Sequence, residues 1–295
     1  MAKYRIGIDL GGTKIEIAAL DAASAVVLRQ RVPTPAGYEA TLVAITGLVR
    51  QAERELGATT TVGIGIPGVI SPATGMVKNA NSLALNGHVF DQDMSAALDR
   101  EVRVENDANC FALSESTDGA TVGFHCVFGV ILGTGCGGSI VVDGRVLAGR
   151  HRVAGEWGHT PLPWPEPDEF PGRACWCGRN GCLETYLSGP GLAIDGPGCP
   201  ASELPALAAN NAGANNALDR HVDRLGRGLA VIIDILDPDA IVLGGGLSNM
   251  LHLYDRLPPL LDRYVFTDVC NTPVLRNHHG DSSGVRGAAW LWPAG

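Results

Sequence analysis

A strand, a glycine turn and a second strand occur twice in this chain. The first copy runs Tyr4-Arg5-Ile6-Gly7-Ile8-Asp9-Leu10, then Gly11-Gly12-Thr13-Lys14, then Ile15-Glu16-Ile17-Ala18-Ala19-Leu20. The second runs Val127-Phe128-Gly129-Val130-Ile131-Leu132, then Gly133-Thr134-Gly135-Cys136-Gly137-Gly138, then Ser139-Ile140-Val141-Val142-Asp143. Short apolar, β-branched runs bounded by glycine read as strands, and each turn carries a Gly-Thr pair. A duplicated hairpin calls for two similar halves that close on one ligand. A third glycine turn, Gly244-Gly245-Gly246, follows the buried run Ile241-Val242-Leu243. Singly, such turns are more often plain hairpins or tight connections, and none has P-loop or dinucleotide spacing. Three of them, each ending an apolar strand, point to backbone N–H groups that cradle an anion.

Between the turns the periodicity predicts helices over 42–56, 92–101 and 218–236, the last stopped by Asp237-Pro238. The stretch 189–216 reads as a loop followed by a helix. Strands alternating with helices, with ligand loops at strand ends, predict an α/β fold. The length of 295 residues suggests two domains or one large one. With 45% hydrophobic and 18% charged residues the chain has ample core, and its net charge of −9 argues against a nucleic-acid surface. The longest apolar run, Leu229–Ile233, is far too short to span a bilayer. No charged n-region followed by an apolar h-region opens the chain, so a cytoplasmic, reducing setting is expected.

Two groups of residues carry chemistry. Asp9 beside the first turn has no obvious core role and could orient Mg²⁺ through water. Asp107, in Val104-Glu105-Asn106-Asp107-Ala108-Asn109, lies where a strand enters a helix and is the candidate general base, with Asn106 beside it. An N-cap role for Asn106 or Asp107 fits the local sequence equally well. The second group is Gly155-Glu156-Trp157-Gly158-His159 with Cys175-Trp176-Cys177-Gly178-Arg179-Asn180-Gly181-Cys182-Leu183-Glu184. Three cysteines and a histidine are the right ligands for one closed, structural Zn²⁺. Core thiols or a secreted disulfide set are the alternatives. The remaining cysteines (Cys110, Cys126, Cys136, Cys199, Cys270) read as core thiols. A metal clip that sets Glu156 and Glu184 side by side suggests that these carboxylates bind a ligand.

These pieces, with Gly65-Ile66-Pro67-Gly68, span nearly the whole chain in an order that resembles the ROK family of repressors, open reading frames and kinases. Within that family the chain looks most like the fructokinase type. The closest segments are Val77–Ser82, His159–Trp164 and His279–Trp292.

The resemblance implies a two-lobed actin-like ATPase (ribonuclease H-like) α/β fold with a structural zinc site. Its smaller lobe would be 1–107 plus 285–295 and its larger lobe 108–284. It implies ATP-dependent phosphorylation of a hexose, with fructose to fructose 6-phosphate expected first. Glucose, mannose or N-acetylglucosamine are the alternatives, as is a non-catalytic sugar-sensing regulator. Asp107 would be the base, while Asn81, Asn106, Glu156, His159 and Glu184 would bind sugar hydroxyls. Gly11, Gly12, Thr13 and Lys14, helped by Gly133, Thr134 and Gly135, would hold ATP phosphates, with Mg²⁺ near Asp9. Gly244, Gly245 and Gly246 would border the adenosine. His159 would bind zinc together with Cys175, Cys177 and Cys182. A homodimer is expected, with no nucleic-acid or membrane partner. Regulators of the family carry a helix-turn-helix domain ahead of the first glycine turn, whereas here only about five residues precede the strand that leads into it, so DNA binding is not expected.

Overall fold

The structure is a computed structural model that describes residues 3–80 and 82–293. Asn81, expected to bind sugar, lies outside the described residues. The chain divides into two compact units, Met1–Val122 with Ala148–Ala154 and Asp281–Gly295, and Gly123–Leu147 with Gly155–Gly280.

The first unit is built on a five-stranded sheet. Its strands are β1 (Arg5–Leu10), β2 (Lys14–Leu20), β3 (Val26–Pro33), β4 (Thr61–Ile66) and, after a short ribbon of β5 (Val69–Ile70) and β6 (Val77–Lys78), β7 (Val102–Asn106). The order is β3-β2-β1-β4-β7. The β1–β2–β3 meander is antiparallel, whereas β1, β4 and β7 run parallel. Helices α1 (Tyr38–Leu56) and α2 (Phe90–Leu98) bury Ile45, Val49, Phe90 and Met94 against Ile6, Ile8, Ile15, Ile17 and Ile64. The predicted 42–56 helix thus begins earlier, and the 92–101 helix lies two to three residues nearer the N-terminus, ended by Asp99 in the left-handed region.

Helix α3 (Asp107–Asp118) follows β7 directly and packs on α9 (Ser283–Trp290). Helix α3 therefore belongs to the first unit, whose opening segment runs to Val122. A Cβ on Gly7 or Gly63 would lie 1.9 Å from a backbone carbonyl of α9, so only glycine lets that helix rest on the sheet. Arg5 stacks on the Trp290 ring at 3.9 Å and Arg103 on Trp292 at 3.9 Å, while Ser283 Oγ donates to the buried Glu115 carboxylate at 2.7 Å.

The second unit repeats the plan. Strands β8 (Cys126–Leu132), β9 (Cys136–Val142), β10 (Arg145–Val146), β11 (Ala240–Gly244) and β12 (Val274–Arg276) lie in the order β10-β9-β8-β11-β12. The hairpins are again antiparallel, and β8, β11 and β12 are parallel. The duplicated hairpin of the sequence is the same corner of two sheets of one topology.

Short helices α4 (Glu184–Leu187), α5 (Gly189–Asp195) and α6 (Leu204–Leu207) precede the long α7 (Ala212–Leu236) and then α8 (His252–Tyr264). The 189–216 stretch, expected to be a loop followed by a helix, already holds α5 and α6 ahead of α7, with Ser188 capping α5 and Asn211 capping α7. Phe128, Leu183, Leu187, Leu225, Leu229, Leu253 and Leu257 belong to this unit's core. Of the five cysteines read as core thiols, Cys110 and Cys136 are buried, but Cys126, Cys199 and Cys270 are only half-buried. No helix among the described residues is long and apolar enough to cross a membrane.

Candidate functional site

In the first unit the candidate residues collect at the C-terminal ends of the parallel strands, where ligands bind in α/β sheets. Register places Asp9 beside Gly65 on β4, and Ile66 beside Asn106 at the end of β7. Asp9 is half-buried and its carboxyl is raised to about 6, first by burial and then by the charge of Glu16. Glu16, its register partner on β2, is fully buried and bridged at 2.6 Å by both Arg29 and Arg31. At the start of α9, a Cβ on Gly284 would lie 3.4 Å from the Asp9 carboxylate. The turn Gly11–Lys14 is exposed at Gly12, Thr13 and Lys14. It is braced from behind by Thr34, whose Oγ1 donates to the Gly11 carbonyl at 2.7 Å.

Asn106 and Asp107 stand at the start of α3. Asn106 is the N-cap of α3: its Oδ1 accepts from the N–H of Ala108 at 2.9 Å and of Asn109 at 3.4 Å. Its Nδ2 donates to the Gly68 carbonyl at 3.1 Å, which leaves one amide hydrogen for a ligand. Asp107 is the first residue of the helix, half-buried, with Oδ1 accepting from the Ala108 N–H at 2.8 Å. Glu105, not singled out from the sequence, fixes this corner. Its Oε1 accepts from the Asn106 N–H at 2.9 Å and from Asn109 Nδ2 at 3.0 Å.

In the second unit the other two glycine turns meet. They end the parallel neighbours β8 and β11, and a Cβ on Gly245 (φ 79°) would fall 2.4 Å from the Leu132 carbonyl. Glu184 closes on the same place. Its Oε2 accepts from the Cys136 N–H at 2.9 Å, and a Cβ on Gly135 would sit 2.7 Å from that oxygen. Glu156 is exposed at the start of a single 3₁₀ turn, Trp157–His159. Trp157 pins the turn, donating from Nε1 to the Gly137 carbonyl at 2.9 Å and packing edge-on against Phe128 at 5.6 Å.

His159, Cys175, Cys177 and Cys182 bring their donor atoms within 4.8 Å of one another. Cys175 Sγ lies 3.6 Å from His159 Nδ1, and Cys177 Sγ lies 3.6 Å from Cys182 Sγ. Metal–ligand bonds of about 2.0–2.3 Å in a tetrahedron separate the ligand atoms by roughly 3.3–3.8 Å, and these two separations fall in that range. The backbone N–H of Arg179 pulls the Cys177 thiol down to about 6, while burial and the neighbouring Cys177 push Cys182 up to about 12. Trp176, between two of the cysteines, was not foreseen as a functional residue. It is 71% exposed, stands edge-on to the His159 ring at 4.9 Å, and donates from Nε1 to Glu184 Oε1 at 2.7 Å. Its position inside a Cys-x-Cys pair was the only sequence signal that it had a fixed place.

Behind this loop lies a buried ion network that the sequence did not announce. Glu169 bonds Arg224 at 2.7 Å and Arg227 at 3.0 Å; Asp195 bonds Arg173 at 2.7 Å and also Arg224. Burial pushes the Glu169 carboxyl up, but bonds from Arg227, Arg224 and the Glu166 N–H outweigh it and hold the group at about 2.

Two units of one sheet topology, each with glycine turns at the ends of its parallel strands, define a two-lobed α/β protein of the actin-like ATPase type. The model of the ROK family matches residues 5–294, and the chain belongs to that family. N-acetyl-D-glucosamine kinase from Yersinia enterocolitica is 40% identical over 299 residues, covering 97% of this chain and 98% of the relative. Among solved structures, the ROK hexokinase from Thermus thermophilus superposes with a TM-score of 0.84 at 32% identity, over 97% of this chain and 96% of that one. The ROK family glucokinase from Streptomyces griseus, solved with glucose and AMPPNP, gives a TM-score of 0.80 at 28% identity, over 99% and 100% of the two chains.

Proposed function

We propose that this protein transfers the γ-phosphoryl group of ATP to a hexose hydroxyl, with N-acetyl-D-glucosamine as its preferred sugar. The observation that carries the kinase reading is the position of Asp107. Its carboxylate opens α3 at the C-terminal end of β7, one strand removed from Asp9 through β4, while its neighbour Asn106 does the capping.

Asp107 takes the proton from the attacking sugar hydroxyl. Asn106, Glu156, His159 and Glu184 are proposed to hold the sugar's other hydroxyls, and Asn81 belongs to the same set by the family resemblance. The N–H groups of Gly11–Lys14 and Gly133–Gly135, with the Lys14 ammonium, face the phosphates, and Gly244–Gly246 border the adenosine. Mg²⁺, when bound, neutralises charge on the β- and γ-phosphates. Asp9 would hold it through water. Little covalent chemistry is asked of the protein, so orientation and charge stabilisation dominate.

Zinc is proposed on His159, Cys175, Cys177 and Cys182, where it supplies folding energy and no chemistry. With Nδ1 toward the metal, the His159 Nε2 is left for the substrate. A homodimer and a cytoplasmic setting are proposed on the same family resemblance. Sedimentation at a single chain mass would exclude the dimer.

The sugar is the finer choice. Support for N-acetyl-D-glucosamine is the name of relatives 40% identical over 97% of the chain. Fructose rests on the segments Val77–Ser82, His159–Trp164 and His279–Trp292, and is the second candidate. Similar hydroxyl contacts serve several hexoses, so sites of this kind separate them by modest factors. A coupled assay of ADP release across N-acetylglucosamine, fructose, mannose and glucose decides, with the highest kcat/KM expected for N-acetylglucosamine. Turnover with none of them would leave the sugar-sensing regulator as the surviving reading.

A further inference from the structure

We propose that Trp176 is a positioning residue for the sugar site: its indole N–H orients the Glu184 carboxylate, and its exposed ring face is a surface on which the sugar stacks. The inference rests on the kinase reading above, in which Glu184 binds the sugar.

Glu184 is held from two sides. Cys136 N–H takes Oε2 at 2.9 Å and Trp176 Nε1 takes Oε1 at 2.7 Å, so the plane of the carboxylate is fixed and neither oxygen can rotate away. Hydrogen bonds to an ionised acceptor are the strong class. Trp176 is itself fixed, because the residues on both sides of it are proposed metal ligands and its ring meets the His159 ring edge-on at 4.9 Å. One side chain thus joins the cysteine cluster to two groups proposed to bind the sugar.

The cost of the arrangement is plain: an indole left 71% exposed. Large aromatic faces left in water beside convergent polar groups are what a saccharide's C–H face and an acetamido methyl require. The indole N–H is already used by Glu184, so the ring offers the ligand its apolar face alone.

The test compares Trp176→Phe, Trp176→Ala, Glu184→Gln and the parent protein by steady-state kinetics, calorimetric titration with N-acetylglucosamine and bound zinc per chain. Trp176→Phe keeps a ring but removes the donor. It should raise the sugar KM and Kd about tenfold, the scale of one charge-assisted hydrogen bond, with the ATP KM and the zinc content unchanged. Trp176→Ala should weaken sugar binding further by removing the stacking face. Sugar KM and Kd at parent values in both variants would overturn the proposal, as would a loss confined to kcat. Loss of zinc from both would show Trp176 to be part of the metal loop's fold only, and would overturn it equally. Glu184→Gln isolates the reading beneath: an unchanged sugar Kd in that variant removes Glu184 from the sugar site whatever Trp176 does.

Discussion

Asp107 takes its place from the residue before it. Asn106 caps α3, and the carboxylate at the next position shares the Ala108 N–H with it through Oδ1. Asp107→Asn keeps the shape and removes the basicity. It should lower kcat by about 10²–10⁴-fold, while calorimetric titration still finds sugar binding; near-normal turnover would dismiss Asp107 as the base. The sequence could not separate cap from base, because both roles put Asn or Asp at the start of a helix. His221 shows a different single-residue effect. It is fully buried, and burial first of all, with His252 and Arg224 nearby, pushes it down to about 4 against the pull of the Leu187 carbonyl, which accepts from Nε2 at 3.0 Å. The fold therefore holds the neutral ring, and unfolding releases a group with an ordinary value near 6.5. Stability present above pH 6.5 should be lost as pH falls toward 4, by up to roughly 3 kcal/mol. Urea midpoints measured across that window should flatten in His221→Gln.

At the scale of elements, the loop from His159 to Glu184 has little regular structure to hold it, and two devices compensate. One is the cysteine cluster. Removing the zinc proposed there with a chelator, or changing Cys177→Ser, should lower the melting temperature and raise the sugar KM together. A zinc-free protein with its normal sugar KM would separate the clip from the sugar site. The other is the buried network behind it. Glu169→Ala leaves Arg224 and Arg227, 1% and 3% exposed, without their shared carboxylate. The expected loss is about 3–5 kcal/mol in chemical denaturation. The grouping of the first was readable in the sequence because its three cysteines stand at the short spacings that zinc sites use. The second was not: Glu169 meets its arginines 55 and 58 positions away, and no local period marks such a pair. Trp176 was hidden for another reason, since an aromatic in a polar loop looks the same whether it packs or binds.

For the whole molecule, the repeated hairpin forecast two similar halves, and both sheets have the same strand order. What the sequence could not show was where the chain passes from one unit to the other. That depends on contacts such as α3 against α9, made between residues far apart in sequence. Each unit has its own core, so calorimetry without ligands should depart from a single two-state transition. Chelation should shift only the transition of the unit that holds the cysteine cluster, and one transition that moves as a whole would contradict this.

The seat of α9 on β1, β4 and α3 has a consequence for how the protein is made. A ribosome delivers the first strands earliest, yet the unit they belong to lacks the helix that covers them until residues 283–290 have been synthesised. The unit of 123–147 and 155–280 is therefore the first that can be finished, and the strands made at the outset must wait, their apolar faces open, while a younger part of the chain folds. Nascent chains halted before Ser283 should yield a protease-resistant fragment from the later unit and none from the earlier one.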